Sequence, residues 1–258
     1  MGTGDSLMSN SIILCEGSTD FVLLQYYMQK VFRWEDSKNS TYHYKSQKSR
    51  LLKSGKNSLT IAPSGGCSEL PSELEDILEY NKNSTISEFF DKIVIITDND
   101  DSNEQEKILE SISARISYTD SSIVKVKNNE WTEFDIQRKF SPLTVKCNIL
   151  PLIIPFDENG AMETFLLNAI SDSNEYDKSI IENTNLFVDD IAKLKNTESS
   201  ETYLKHRRDR TKAKFDIYFS IRTPAEQFNK RRDILKGVPW EKYALIQTCF
   251  CKLSELNS

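Results

Sequence analysis

Acidic side chains follow two short apolar runs of the sequence, at the points where a strand would end. The run IILC is followed at once by Glu16 and Gly17, and Asp20 comes one helical turn later. The run KIVIIT leads directly into Asp98 and, two residues on, Asp100. Carboxylates that meet in space repel each other unless a cation lies among them, and Mg²⁺ or Mn²⁺ suits carboxylate oxygens, water and substrate phosphate. The two runs therefore predict a site for one or two divalent ions.

Other residues of the sequence fit phosphodiester chemistry at such a site. Gly17 lets the backbone approach a phosphate, and a helix that starts at Ser18 offers oriented N–H groups to an anion. Gly65 and Gly66 form a turn after a predicted strand, and Glu163 lies in the first turn of a predicted helix. One bound ion activates water and an optional second ion stabilises the leaving oxygen. The expected chemistry is hydrolysis of a phosphodiester bond.

Basic residues are concentrated in segments of their own, although the net charge of the chain is -6. The segment KHRRDRTKAK carries Lys212 and Lys214, which we expect to neutralise the extra charge of the transition state. A solvated helix face is the alternative interpretation of such segments. The basic residues expected to contact nucleic acid are Lys45, Lys48, Arg50, Arg207 and Arg208.

The elements that must position these side chains alternate along the first two thirds of the sequence. Apolar strands separated by amphipathic helices predict an α/β fold, in which a Rossmann-like central parallel sheet is flanked by helices. Because parallel strands end at the same edge of a sheet, the acids and glycines after each strand are expected to meet there. Ser18 or Thr19 is the predicted cap of the first helix. The predicted strands are 11–15, 59–63, 92–97, an additional strand at 121–127, and 148–156 with Pro151 and Pro155 at its edges. The region 131–140 is predicted to be a strand or a helix.

The length of 258 residues, with 38% hydrophobic and 28% charged residues, suits one large domain with an appended region. We predict a catalytic domain at 1–172, with a basic loop or hairpin insertion at about 37–58, and a mainly helical extension at 173–258. No apolar run is long enough to span a membrane. Five cysteines without CxxC spacing indicate reduced thiols in a cytoplasmic protein.

The two acidic motifs resemble those of the Toprim domain. A strand that ends in E-G-x-x-D (Glu16, Gly17, Asp20) and a later strand that ends in D-x-D (Asp98, Asp100) occur in the order seen in topoisomerases, bacterial primases and nucleases of the overcoming-lysogenization-defect class. The similarity covers about 11–171. A Gly-Gly turn between the motifs and the segment Gly-x-x-Glu-x-x-Leu-Leu, which contains Glu163, are similar to stand-alone members of the latter class.

The resemblance implies a Mg²⁺-dependent nuclease acting on DNA, RNA or tRNA. Glu16 would be a metal ligand or general base, Asp98 and Asp100 would be metal ligands, and Asp20 and Glu163 would complete a second ion. A downstream lysine, Lys212 or Lys214, would assist. Since no GxxxxGK[ST] motif is present, any ATPase would be a separate partner, and the resemblance implies an antiphage defence effector controlled by it.

Two alternatives stay open at this point. One is a non-catalytic Toprim module that binds nucleic acid or a protein partner. A homo-oligomer is compatible with this module and with the nuclease. The other is a receiver-like domain that accepts a phosphoryl group on Asp98; the EG turn and the lack of a suitably placed lysine on a later strand disfavour it.

Overall fold

The computed structural model describes most of the chain. The described residues are 9–37, 49–85, 88–100, 103–120, 123–156, 159–194, 203–224 and 231–257. Lys45 and Lys48, two of the residues predicted to bind nucleic acid, lie outside these ranges.

A mixed sheet forms the centre of the described structure. Its strands are β1 (Asn10–Cys15), β2 (Glu35–Asp36), β3 (Arg50–Ser54), β4 (Asn57–Pro63), β5 (Lys92–Asp98), β6 (Thr132–Gln137) and β7 (Thr144–Ile154). They lie in the order β2-β3-β4-β1-β5-β7-β6. The four central strands β4, β1, β5 and β7 are parallel, whereas β2, β3 and β6 join the edges antiparallel. The prediction of an α/β fold is confirmed, and the parallel part is limited to the centre.

The register of the parallel strands brings their ends together. Cys15 at the end of β1 pairs with Ile96 of β5 on one side and with Pro63 of β4 on the other. Asp98, the last residue of β5, pairs with Ile154 of β7. The residues that follow these strands consequently lie at one edge of the sheet.

Helices cover both faces of the sheet. They are α1 (Ser18–Lys30), α2 (Leu70–Asn83), α3 (Glu104–Asp120), α4 (Met162–Ser171), α5 (Glu175–Ile191), α6 (Arg207–Arg222), α7 (Arg231–Gly237) and α8 (Ala244–Phe250). Short 3-10 turns lie at Cys67–Glu69, Trp240–Lys242 and Cys251–Asn257. Helices α2 and α3 pack on the sheet face that carries Ile12 and Ile93, and the other helices contribute to the core on the opposite face, which carries Ile13 and Val94. This alternation follows from the two-residue period of a strand.

The helices after residue 172 belong to the same core as the sheet. Phe215 and Tyr218 of α6 and Trp240 are fully buried in one cluster with Ile13 and Val94. The predicted boundary at 172/173 therefore does not separate two cores. The helical character of the region was predicted correctly, but its apolar faces complete one side of the sheet.

Two predictions of local structure were wrong. The segment 121–127 was predicted to be a strand, but its described residues are irregular, and the N–H groups of Val124 and Val126 donate to the hydroxyls of Ser117 and Ser113 on α3. The position beside β7 is occupied by β6 instead. Pro151, predicted to mark a strand edge, lies inside β7, where β6 pairs with β7 only as far as Ile149. Its missing N–H therefore costs no bond to β6.

In the described part of the chain, no helix has both the length and the apolar character needed to cross a membrane. All five cysteines are described and none forms a disulfide; Cys15, Cys147 and Cys249 are buried.

Candidate metal and active site

A cavity of about 410 Å³ lies at the edge of the sheet where the parallel strands end. One wall is acidic, and we call it the acidic wall; it consists of Glu16, Asp20, Asp98, Asp100 and Glu163. The facing wall comes from the start of α6 and the residue before it, and we call it the basic wall; it consists of His206, Arg207, Arg208 and Lys212. Gly17 and Ser18 also line the cavity, at the start of α1.

Glu16 is held against the end of β5. Its backbone N–H continues the ladder of β1 by donating to the carbonyl of Ile96, at 3.1 Å. Its Oε2 accepts a hydrogen bond from the hydroxyl of Thr97 at 2.9 Å and a longer one from the N–H of Asp98 at 3.4 Å. The first acidic residue of the sequence is therefore directly beside the second acidic motif.

Asp20 has a structural bond as well as a place in the cavity. Its Oδ2 accepts a hydrogen bond from the N–H of Gly17 at 2.8 Å, so this carboxylate binds one of the first N–H groups at the start of α1. Gly17 is the residue at the N-cap position, and the prediction that Ser18 or Thr19 caps the helix was wrong. Asp20 is almost completely buried, with 4% of its surface exposed.

Asp98 connects β5 to the start of α4. Its Oδ1 accepts a hydrogen bond from the N–H of Met162 at 2.9 Å. Between the two aspartates of the motif, Asn99 forms an antiparallel bridge with Gly160, and the Gly160 N–H donates to the Asn99 carbonyl at 2.8 Å. A Cβ atom on Gly160 would lie 3.3 Å from the side chain of Thr164, so glycine permits the close packing of this residue against the first turn of α4. The bridge brings the helix that carries Glu163 to the edge.

Glu163 is fixed from another helix. The hydroxyl of Thr19, on α1, donates to Glu163 Oε1 at 3.2 Å, and both residues are buried. The first turns of α1 and α4 therefore meet at the cavity. Glu163 lies near the other acids, as the sequence predicts.

The crowding of acids changes their protonation. Burial, reinforced by the charges of Asp20, Glu16, Asp100 and Glu163, raises the pKa of Asp98 to about 9. Burial raises the pKa of Asp20 to about 7, with the charges of Glu16 and Glu163 adding to the effect and the hydrogen bond from Gly17 opposing it. Without a cation, the acidic wall holds protons at neutral pH.

The basic wall distinguishes the two lysines that were predicted to act in catalysis. Lys212 lines the cavity. Lys214 instead forms an ion pair with Asp189 of α5 at 2.9 Å and lines a different cavity, so the structure does not bring it to the acidic wall. Arg207 donates a hydrogen bond to the backbone carbonyl of Asp100, which connects the two walls.

The donors of the acidic wall fit Mg²⁺ or Mn²⁺. The wall provides only carboxylate oxygens, which are the hard ligands that these ions bind, and Glu16, Asp20 and Asp98 each use one oxygen in a bond to the protein. Among the described residues, no three acidic, histidine or cysteine side chains are close enough as they stand to hold a metal ion. Binding of a cation would therefore require the second oxygens of these carboxylates to move closer together.

Three further residues of the predicted site lie away from the cavity. Gly65 and Gly66 have positive φ values of 94° and 151° and turn the chain after β4, but they do not line it. The turn stays close to β1, since the N–H of Ser64 donates to the Cys15 carbonyl. Arg50 lies on β3 and forms a two-point ion pair with Asp36 of β2, so its charge is already compensated. The structure therefore does not bring these three residues into the cavity.

Four residues of the site were missed from the sequence. Thr97 and Thr19 hold carboxylates, and His206 and Thr211 line the cavity. Thr97 directly precedes Asp98 at the end of the clearest predicted strand, and this position was the sequence feature that could have identified it. No comparable signal marks His206 or Thr211.

Comparison with known proteins identifies the family. A family model described as "Protein of unknown function (DUF3226)" matches residues 10–234, so the chain belongs to the DUF3226 family. A crystal structure of a hypothetical protein from Pyrococcus horikoshii OT3 is similar, with 15% sequence identity and a TM-score of 0.48, over 95% of this chain and 100% of that one. No curated protein matches the chain.

Proposed function

We propose that this DUF3226 protein is a Toprim-type nuclease that uses Mg²⁺ or Mn²⁺ to hydrolyse phosphodiester bonds in nucleic acid. The single observation that supports it most is the cavity, in which five carboxylates from separate segments face a basic helix start. Acids that only capped helices or solvated the surface would have no reason to converge in one partly closed space. The basic wall would attract a polyanionic substrate, and a cation bound at the acidic wall would let a phosphate group approach the carboxylates.

The roles of the residues follow from their positions. Bound Mg²⁺ would activate water and neutralise charge on the phosphate. Glu16 and Asp98, held by Thr97 and by the N–H of Met162, would be its principal ligands, with Asp100, Asp20 and Glu163 completing the set.

The basic wall would bind the substrate. Arg208 and Lys212 face the acids across the cavity and would bind the non-bridging oxygens of the phosphate that is cleaved. Arg207, which is bonded to the Asp100 carbonyl, would hold the acidic loop against α6.

The cellular role that we propose is that of an effector in antiphage defence, controlled by a separately encoded ATPase. Support comes from the Toprim-like motifs together with the absence of a GxxxxGK[ST] sequence. Purified chain that cleaves equally well with and without the product of a neighbouring ATPase gene would remove this part of the proposal and leave the nuclease part intact.

The direct test is the variant Glu16→Gln. It keeps the size of the side chain and an oxygen that accepts from Thr97, but it removes the charge. We expect cleavage of plasmid, single-stranded DNA and total tRNA with Mn²⁺ or Mg²⁺ to fall by about 100-fold or more, because even the loss of an outer-shell partner at a metal site costs about 10-fold to 100-fold. Full activity of the variant would sink the assignment.

A matched control is Glu133→Gln, on the exposed edge strand β6, where Glu133 pairs with Lys146. This change should leave cleavage unaltered. If the wild-type protein binds these nucleic acids but cleaves none of them with either ion, the non-catalytic Toprim module becomes the better description.

A further inference from the structure

Two buried threonines, Thr97 and Thr19, donate hydrogen bonds to acids of the cavity. These hydroxyls are not among the proposed metal ligands. Thr97 is completely buried in β5, the strand between β1 and β7. Glu16 comes one residue after the Cys15–Ile96 pair of the parallel register, and Thr97 comes one residue after Ile96. The threonine hydroxyl and the glutamate are therefore neighbours because of strand pairing.

The hydrogen bond fixes which oxygen Glu16 can present. Thr97 Oγ1 donates to Oε2 at 2.9 Å, whereas the Asp98 N–H is 3.4 Å from the same atom. With Oε2 engaged, Oε1 is the oxygen that is left for the cavity. Holding a long side chain such as glutamate in one geometry costs conformational entropy. Because the bond to Thr97 already holds Glu16, less of that entropy would be lost when an ion binds.

The same device occurs on the opposite side of the acidic wall. Thr19 Oγ1 donates to Glu163 Oε1 at 3.2 Å, and the two residues belong to the first turns of different helices. Both hydroxyls are on segments other than those of the acids that they bind. The two glutamates of the wall, which have the longest acidic side chains, are thus the ones held by threonine.

We infer that Thr97 and Thr19 are positioning residues that pre-orient Glu16 and Glu163 for a divalent cation. The inference rests on the proposed function, because it assumes that the acidic wall binds the ion. It assigns to the threonine hydroxyls the part that outer-shell partners play at metal sites, where their loss costs affinity while the fold is retained.

The test compares Thr97→Val with Thr97→Ser. Valine keeps the branched shape but removes the donor, whereas serine keeps the hydroxyl. Mn²⁺ binding to the full chain is measured by titration calorimetry and by the electron paramagnetic resonance signal of free Mn²⁺, and the melting temperature is measured in EDTA. We expect Thr97→Val to weaken Mn²⁺ binding roughly 10-fold to 100-fold and Thr97→Ser to bind close to the wild type.

The kinetic readout separates positioning from a merely structural effect. The Mn²⁺ concentration that gives half-maximal cleavage should rise in Thr97→Val, and most of the maximal rate should return at saturating Mn²⁺. Thr19→Val should give the same pattern with a smaller shift, and it provides a second test if Thr97→Val does not fold.

The outcomes separate the two proposals. Equal Mn²⁺ affinity of the wild type, Thr97→Val and Thr19→Val overturns the inference alone. Absence of Mn²⁺ binding to the wild-type protein overturns the proposed function and the inference together. A loss of affinity in Thr97→Ser as large as in Thr97→Val also overturns the inference, because the hydroxyl would then not be the cause.

Discussion

The two ends of β5 each carry an aspartate, and the surroundings of the two side chains are opposite. Asp91, just before the strand, accepts hydrogen bonds from the Ser9 hydroxyl at 2.8 Å and from the Asn10 N–H at 2.9 Å. Asp98, at the far end, accepts one from the Met162 N–H and is surrounded by four other acids. Burial raises the pKa of both carboxyls, but for Asp91 the bonds from Ser9 and Asn10 and the charge of Lys92 oppose that rise.

Under the proposed function, Asp91 is a carboxylate that stabilises the fold, whereas Asp98 is one that serves the site. Donors around Asp91 connect β1 to β5, so this end of the sheet is complete without a ligand. Around Asp98, burial and the charges of four other acids raise the pKa of the carboxyl, and under the proposed function a bound cation would offset those charges. The predictions below test whether this division between the two ends is real.

The largest expected effect is on activity, from Asp98→Asn compared with Asp91→Asn. Asparagine at 98 retains an oxygen for the Met162 N–H but removes a ligand charge, so we expect cleavage to fall by about 100-fold or more. Asparagine at 91 should leave cleavage unchanged and lower the free energy of unfolding by about 1–2 kcal/mol, since a charged acceptor is lost. Initial cleavage rates and urea titrations measure both. An equal loss of activity in the two variants would contradict the comparison.

The next effect concerns the two lysines on α6. Lys212→Ala should reduce cleavage roughly 10-fold to 100-fold, because a cation facing the acidic wall is lost. Lys214→Ala should leave the rate unchanged and cost at most about 1 kcal/mol of stability, because its ion pair with Asp189 is partly exposed. Single-turnover cleavage at saturating Mn²⁺ gives the comparison. If Lys214→Ala lost more rate than Lys212→Ala, Lys214 rather than Lys212 would be the lysine that acts at the site.

The third prediction concerns the pH dependence of stability in EDTA. The pKa values of Asp98, about 9, and Asp20, about 7, lie above the ordinary value of 3.8, so the folded protein binds more protons than the unfolded chain. The stabilisation that this protonation gives is complete below about pH 4 and is lost as pH rises through 7 and then 9. The free energy of unfolding should therefore fall from pH 5 to pH 9, and less steeply in Asp98→Asn.

Urea titrations at each pH measure this slope, and Mn²⁺ serves as the control. Added Mn²⁺ should stabilise the wild type more at pH 8.5 than at pH 6, because the ion competes with protons for the same oxygens. A slope that is the same in the wild type and in Asp98→Asn would show that the acidic wall does not carry the effect.

Part of this structure could be predicted because it depends on strand order alone. The apolar runs of β1 and β5 mark strands, and parallel strands end at one edge, so the meeting of Glu16 with Asp98 and Asp100 followed from the sequence. Side-chain direction on α6 did not follow. Residues two apart on a helix point about 200° from each other, and only the packing of α6 on α5 decides that Lys212 faces the cavity and Lys214 faces Asp189.

Local pattern was also insufficient for the segment 121–127. Its alternating apolar residues fit a strand, but a strand also needs a free neighbour in the sheet, and β6 takes the place beside β7. The hydroxyl partners Thr97 and Thr19 depend on register and helix contact, which only the assembled fold defines.

The shared core has a consequence for shortening the protein. A chain cut after Asp172 would keep all five acids of the acidic wall, yet it would lose Phe215, Tyr218 and Trp240 from the layer over β1 and β5. The apolar surface exposed in this way would favour aggregation over a folded and active fragment. The helical region after residue 172 therefore cannot be removed without replacement. A shortened variant would need other apolar side chains to cover this face of the sheet.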